Sequence, residues 1–470
     1  MNPYSWSELV RVILPLLFDL CFFYDKYNPN FSLFFIKKFP KIPNLCKKYK
    51  MRNQKAITQL FIANIISGIA QGITMIAIPW YFVKTGNMAT FGMIYMLSNC
   101  ISLFWSPYAG TLIDKYNRKT IFLYICLTVG TLELLICGLS FYTGGLNLLA
   151  IGSVFVLTSL NFNIHYTNLY AFSQEIVEKE FFKKITSYLE ITGQVATMLS
   201  GGAAAFLLEG TQNGIIHPFG MTIQLPFHIS AWTIGEIFLF DAFTYFIALI
   251  IIYNIDYQPI AARETESGNI WERIKFGFDY LKKQPQILMF GILSLNIFAT
   301  LMVFIFIGSG MYVRYKLNGG GGVYAMVDFF YGTGALLAGV AIQRIFSKMD
   351  VPKSVIIMTW ATVLLYIVMY FFPNTTLYLF LIFILGLTNA GTRVQRVVYI
   401  FQSVPNHLFG RVNSAFALVN GLTRITLIFI SSLPLFLNEN VSNILLVFIV
   451  FLSVTALFLI KNDVSTKSEK

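Results

Sequence analysis

From about residue 57 to 460 the chain gives charge almost nowhere to sit: apolar stretches of roughly twenty residues follow one another, separated by short polar turns. A helix of about twenty apolar residues matches the hydrocarbon core of a bilayer. Twelve such spans are expected, at roughly 57–83, 89–113, 120–141, 146–171, 185–208, 237–255, 286–313, 323–343, 355–372, 376–400, 411–436 and 441–460, numbered here 1 to 12. With 56% hydrophobic and 12% charged residues, the chain has too little polar surface for a water-soluble globule of 470 residues. The fold class is therefore an all-α membrane protein.

The net charge of +12 raises nucleic acid as a partner, but the placement of the cations excludes it. On this topology the Lys and Arg outside the spans fall almost entirely on the side of the two termini, only Lys84, Arg314 and Lys316 fall on the other, and Arg393, Arg396 and Arg424 lie within spans. Basic loops stay in the cytoplasm, so both termini are expected there, beside an anionic lipid surface.

The most informative turn is Gly110-Thr-Leu-Ile-Asp114-Lys115-Tyr-Asn117-Arg118-Lys119, between spans 2 and 3. Gly110 is expected where two helices approach closely. Asp114 is expected to cap the following helix, and Asn117 to tolerate a positive φ. The spacing of Gly, Asp, cation and basic pair resembles the loop signature of the major facilitator superfamily, which usually has Gly where this chain has Asn117. After span 10, Gln402-Ser-Val-Pro405 followed by Gly410-Arg411-Val-Asn-Ser414 resembles a run in the macrolide-efflux and siderophore-export branch. Span 5 keeps Gly193, Gly201 and Gly202 of an exporter glycine pattern but has Thr197 and Met198 in place of its central Gly-Pro.

The resemblance implies two pseudo-symmetric six-helix bundles that rock about a midplane site. An internal repeat agrees. Gly110 and Gly339, Lys119 and Lys348, and Tyr170/Phe172 and Tyr399/Phe401 share an offset of 229 positions. The second copy has Gln343 and Ser347 where the first has Asp114 and Arg118, so only the first loop is expected to act as a charged latch, made of Gly110, Asp114, Lys115, Arg118 and Lys119. The expected organisation is a basic, amphipathic N-terminal extension over 1–56, a first bundle over 57–255, a cytoplasmic linker over 256–285, a second bundle over 286–460 and a tail over 461–470. The extension reads either as an interfacial segment or as dispensable, with Met51 as an alternative start.

Polar residues inside spans mark the candidate site, because a lipid-facing amide is left unsatisfied. Span 1 carries Asn64 and Gln71 on one face, span 4 Asn161 and His165, and span 10 Asn389 and Arg393. The alternative for the neutral groups is hydrogen bonding between packed helices. Arg424 falls near mid-membrane and needs a partner or a wet cavity, whereas Arg396 is shallow enough to snorkel. Arg393 and Arg424 together point to an anionic substrate such as a siderophore, with a structural ion pair as the competing reading. Glu133, central in span 3, is the candidate for proton coupling, and Asp241 is read as a helix-end residue.

Five cysteines and four histidines show no ligand spacing, so no metal site and no cofactor are expected. Motifs for nucleotide hydrolysis or covalent catalysis are missing. The sequence therefore predicts a secondary transporter in a bacterial inner membrane, with protons, lipid and a small molecule as partners, working as a monomer. An exporter is the leading expectation, and a macrolide or multidrug pump and a lysolipid translocator are the alternatives.

Overall fold

The computed structural model describes residues 53–210, 215–216, 223–224, 230–257, 270–405 and 408–468. Residues 1–52 of the expected N-terminal extension, with Cys21 and Cys46, and His217, His228 and His407 lie outside them. Spans 1 to 6 are the helices Gln54–Lys84, Met88–Lys115, Arg118–Thr143, Leu148–Ile176, Phe182–Glu209 and Ile234–Tyr253. Spans 8 to 12 are Gly321–Ile345, Val351–Phe371, Thr375–Ser403, Phe409–Ser431 and Ser442–Ser468. Span 7 runs from Pro285 to Tyr315. Eleven of these are long and apolar enough to cross a membrane. Span 8, at 25 residues or roughly 37 Å, completes the twelve.

Local chemistry sets the ends. Asn147 and Asn374 accept the backbone N–H three residues on, and Thr233 and Glu236 form a reciprocal capping box at the start of span 6. Gly144 ends span 3 with φ at 72°, a conformation that favours glycine. Span 11 was expected to reach residue 436 but stops at Ser431. Pro434 supplies no backbone donor, and short 3-10 turns over Pro434–Phe436 and Asn438–Val441 follow.

Span 7 is not one helix. It is divided into Pro285–Leu293, Asn296–Val303, a π-turn over Phe304–Gly308, and Ser309–Tyr315. Arg396 of span 10 donates to the Ser294 carbonyl at the first break, at 3.2 Å. A carbonyl freed inside a membrane needs such a donor, so Arg396 is structural rather than snorkelling.

Helix pairing repeats between the halves. Span 3 packs on span 6 and span 2 on span 4, as span 9 packs on span 12 and span 8 on span 10. Between halves, span 5 lies against span 8 and span 2 against span 11, which are equivalent contacts under the internal repeat. Small residues permit the close approach: a Cβ at Gly201 of span 5 would lie 2.6 Å from the Phe329 backbone nitrogen of span 8.

The end of the molecule carrying the basic turns is called here the basic end, and the opposite one the far end. At the far end the halves are sealed by aromatic packing. Trp80 stacks on Tyr324 with ring centroids 5.5 Å apart, and Tyr95 and Phe155 both pack against Phe306. Spans 2 and 11 touch there at Gly92 and Ser432 and, eleven residues further along each helix, at Leu103 and Gly421. Seven residues on, the same register would pair Gly110 with Ser414. Instead Gly110 has nothing within 4 Å of its would-be Cβ, and Ser414 is exposed. The two helices have parted at this level, while the far end is held together by the aromatic contacts. The expected close packing of Gly110 is absent from this state.

Candidate functional site

The boundary between the halves carries charge. Arg393 of span 10 pairs with Glu190 of span 5 at 3.2 Å, both side chains about half exposed (49% and 47%). The Tyr170 hydroxyl of span 4 donates to the other Glu190 oxygen at 2.7 Å. One carboxylate thus joins three helices and both halves. Sequence reasoning missed Glu190. Its signal was an acid embedded in an apolar run, but its partner depends on how spans 5 and 10 face each other. Asp328 of span 8 was missed as well; the span 5 backbone at Gly201 packs on its backbone, and Tyr324, Tyr331 and Tyr378 lie within its electrostatic reach.

Arg424 lies fifteen residues into span 11, roughly 22 Å along the helix axis. Its guanidinium sits 5.8 Å from the Phe298 ring centre of span 7, a cation–π arrangement. Its Nε has no hydrogen-bond partner among the described residues. Arg393 and Arg424 therefore differ, since one has a carboxylate partner and the other, among the described residues, has the Phe298 ring and Tyr95 near it. Asn389 donates to the Tyr331 hydroxyl at 2.9 Å and ties span 10 to span 8.

The remaining expected site residues belong to the interior of the N-terminal half. Asn64 and His165 share a 2.9 Å hydrogen bond between spans 1 and 4, and Asn161 donates to the Tyr245 hydroxyl of span 6 at 2.7 Å. Both hydrogen bonds run between helices of this half. Gln71 is buried with its Nε2 unpaired, so it keeps an unused donor. Glu133 is wholly buried (0%), and Asp241, read as a helix-end residue, is just as buried (0%) and faces it. The apolar helix contacts on either side of Asp241 draw it inward.

The turn between spans 2 and 3 is organised differently from expectation. Asn117, not Asp114, caps span 3, accepting from the Lys119 and Thr120 amides at 2.9 and 3.3 Å. Its φ of −63° is extended backbone, so the expected positive φ is not used. Asp114 stays in the last turn of span 2. Arg118 donates to the Ala171 carbonyl at 2.7 Å and lies 3.2 Å from Glu175, at ion-pair distance but without hydrogen-bond alignment. Lys119 donates to the Ile255 carbonyl at 2.7 Å, and Lys115 lies over the Tyr116 ring. Arg118 and Lys119 thus hold spans 3, 4 and 6 together at the basic end, within one half.

A family model described as Major Facilitator Superfamily matches residues 60–428. No curated protein matches the chain. Among solved structures, the nucleoside transporter NupG superposes with a TM-score of 0.66 at 13% identity, over 87% of this chain and 98% of its own. A bacterial homologue of the iron transporter ferroportin in an inward-facing state gives 0.63 at 13% identity, over 87% and 98%. A D-xylose-proton symporter gives 0.62 at 11% identity, over 86% and 97%. The likeness to these three is one of fold.

Proposed function

The chain belongs to the major facilitator superfamily, and from that premise we propose that it is a proton-driven exporter of a small organic anion. The observation that carries the anion is Arg424. A guanidinium deep in the bundle, in no ion pair among the described residues and with an unpaired Nε, needs a counter-charge or water, and a substrate carboxylate supplies one. A polycarboxylate such as a hydroxycarboxylate siderophore suits this site, and Arg393 becomes its second contact when Glu190 is displaced. The positive-inside rule turns the basic end to the cytoplasm of a bacterial inner membrane, so the parted ends of spans 2 and 11 face the compartment from which an exporter loads. Glu133, with Asp241 and Tyr245 turned towards it, is the group assigned to carry the proton.

Efflux of a cationic drug is the second reading, and the Glu190 and Asp328 carboxylates at the boundary favour it. The test is efflux from intact cells by wild type and Arg424→Gln, with one anionic and one cationic substrate, with and without a proton gradient. Gradient-dependent export of the anion that is lost in Arg424→Gln supports the proposal. Preferential export of the cation, or indifference to the gradient, overturns it.

A further inference from the structure

Spans 3 and 6 run antiparallel, with Gly130 against Ala242 and Tyr245 and, nearer the far end, Gly235 against Ser140. That register sets Glu133 opposite Asp241. All four of their carboxyl oxygens are buried without a hydrogen-bond partner among the described residues. Two neighbouring side chains from other helices are in the same condition. Thr74 of span 1, beside Asp241, is fully buried with its hydroxyl unpaired, and Asn161 of span 4 gives its N–H to Tyr245 but leaves Oδ1 unpaired. Thr158, beside Glu133, spends its hydroxyl on the Val154 carbonyl at 2.8 Å.

Six unpaired oxygens from four helices of one half thus occupy one buried layer. Two carboxylates at this depth repel anions, whereas a hard cation takes oxygen ligands alone, carboxylate, hydroxyl and amide carbonyl alike. Charge neutrality in a membrane interior selects among cations. Two carboxylates are balanced by two protons or by one divalent ion, and a single monovalent ion leaves a net charge buried. Dehydration selects further, because Mg²⁺ keeps several of its waters whereas Ca²⁺ accepts six to eight oxygens in flexible geometry. No Lys, Arg or His among the described residues hydrogen-bonds either carboxylate. The described residues hold no cluster of three or more acidic, His or Cys groups suited to a metal, so the neutral oxygens have to complete the shell.

We propose that Glu133 and Asp241, with the Thr74 hydroxyl and the Asn161 carbonyl, form a binding site for one Ca²⁺ inside the N-terminal half. The site rests on the reading of Glu133 as the ion-carrying group and deepens it, since one Ca²⁺ replaces two protons. Thr74 belongs to span 1, so occupancy of the site bears on a helix that runs the length of the half.

The test uses full-length protein in lipid nanodiscs, without substrate or ion gradient, so that its outcome is separate from that of any export assay. Thermal stability is followed against Ca²⁺, with Mg²⁺ and K⁺ as controls, and ⁴⁵Ca²⁺ binding gives the stoichiometry. The expected result is a saturable, Ca²⁺-selective rise in Tm with one ion per chain, and at least a tenfold loss of affinity in both Glu133→Gln and Asp241→Asn. These variants keep the side-chain shape and remove a buried charge, and a Glu133→Gln/Asp241→Asn pair checks that the fold survives. Absence of a Ca²⁺-selective shift in wild type, an equal shift with Mg²⁺, or binding retained in both single variants overturns the proposal.

Discussion

Arg393 and Glu190 meet at 3.2 Å across the boundary between the two halves, and the Tyr170 hydroxyl holds the second Glu190 oxygen at 2.7 Å. The carboxylate of Glu190 occupies the place at Arg393 that a substrate carboxylate would take. A half-exposed pair contributes about 0.2–1 kcal/mol, small enough for a ligand to displace. Glu190→Gln is expected to tighten anion binding by up to about fivefold, the factor that about 1 kcal/mol represents. Equilibrium binding of the anion to wild type and Glu190→Gln checks this, and weaker binding in the variant would contradict it.

Arg424 has no carboxylate partner among the described residues, whereas Glu133 faces Asp241 inside the other half. Arg424→Gln is therefore expected to abolish anion export. Arg424→Lys should restore only part of it, because Lys lacks the planar bidentate fork. The Arg424→Gln/Glu133→Gln pair should not recover, since residues without shared partners act additively. Recovery in the pair would mean that the two charges neutralise each other in a state other than the one described.

Glu133→Gln is expected to uncouple export from the proton gradient while leaving anion binding in place. Proton release measured with a pH dye during export provides the check. Full gradient-dependent export in the variant would move the proton elsewhere, although His165 is already committed to Asn64.

At the basic turn, Glu175 is almost fully buried (2%) beside an Arg118 that is 18% exposed. Removing the cation leaves a buried carboxylate behind, and Arg118→Gln should lower stability towards the lower end of the about 3–5 kcal/mol lost when a buried pair is broken. Glu175→Gln should cost less, because no charge is stranded. Detergent thermal melts of both variants decide the order. Asp114→Asn is expected instead to slow transport without affecting membrane insertion, which transport rates in vesicles and surface topology labelling read separately.

A chain started at Met51 should insert with the same topology and keep its activity, since all twelve spans and their flanking cations remain. Failure to fold would show that the preceding residues are needed by the bundle.

The spans are legible in the sequence because a bilayer imposes length and apolarity on every one of them, and span 2 was expected at 89–113 and is found at Met88–Lys115. Breaks are less legible. Neither Ser294 nor Leu295 is a proline or glycine that would mark a break, and the donor that makes the break tolerable, Arg396, lies 102 residues away. The cap of span 3 was placed three residues early, because Asp114 and Asn117 are both good caps and only the end of span 2 decides between them. Asn64, His165 and Asn161 are recognisable as residues avoiding lipid, but whether they face a cavity or one another depends on helix rotation, which a single sequence does not encode locally. Glu190 and Asp241 show the same limit, since a charge within a span declares that it has company without saying which helix provides it.

The parted register of spans 2 and 11 makes substitution at residue 110 one-sided. In the state described, a side chain there meets open space, so replacing Gly110 costs this state nothing. If the register of spans 2 and 11 continues in a closed state and brings Ser414 opposite, the same side chain has to be accommodated between two backbones. On the proposed transport cycle, bulk at that position acts as a ratchet pawl, permitting the parted state and opposing the closed one.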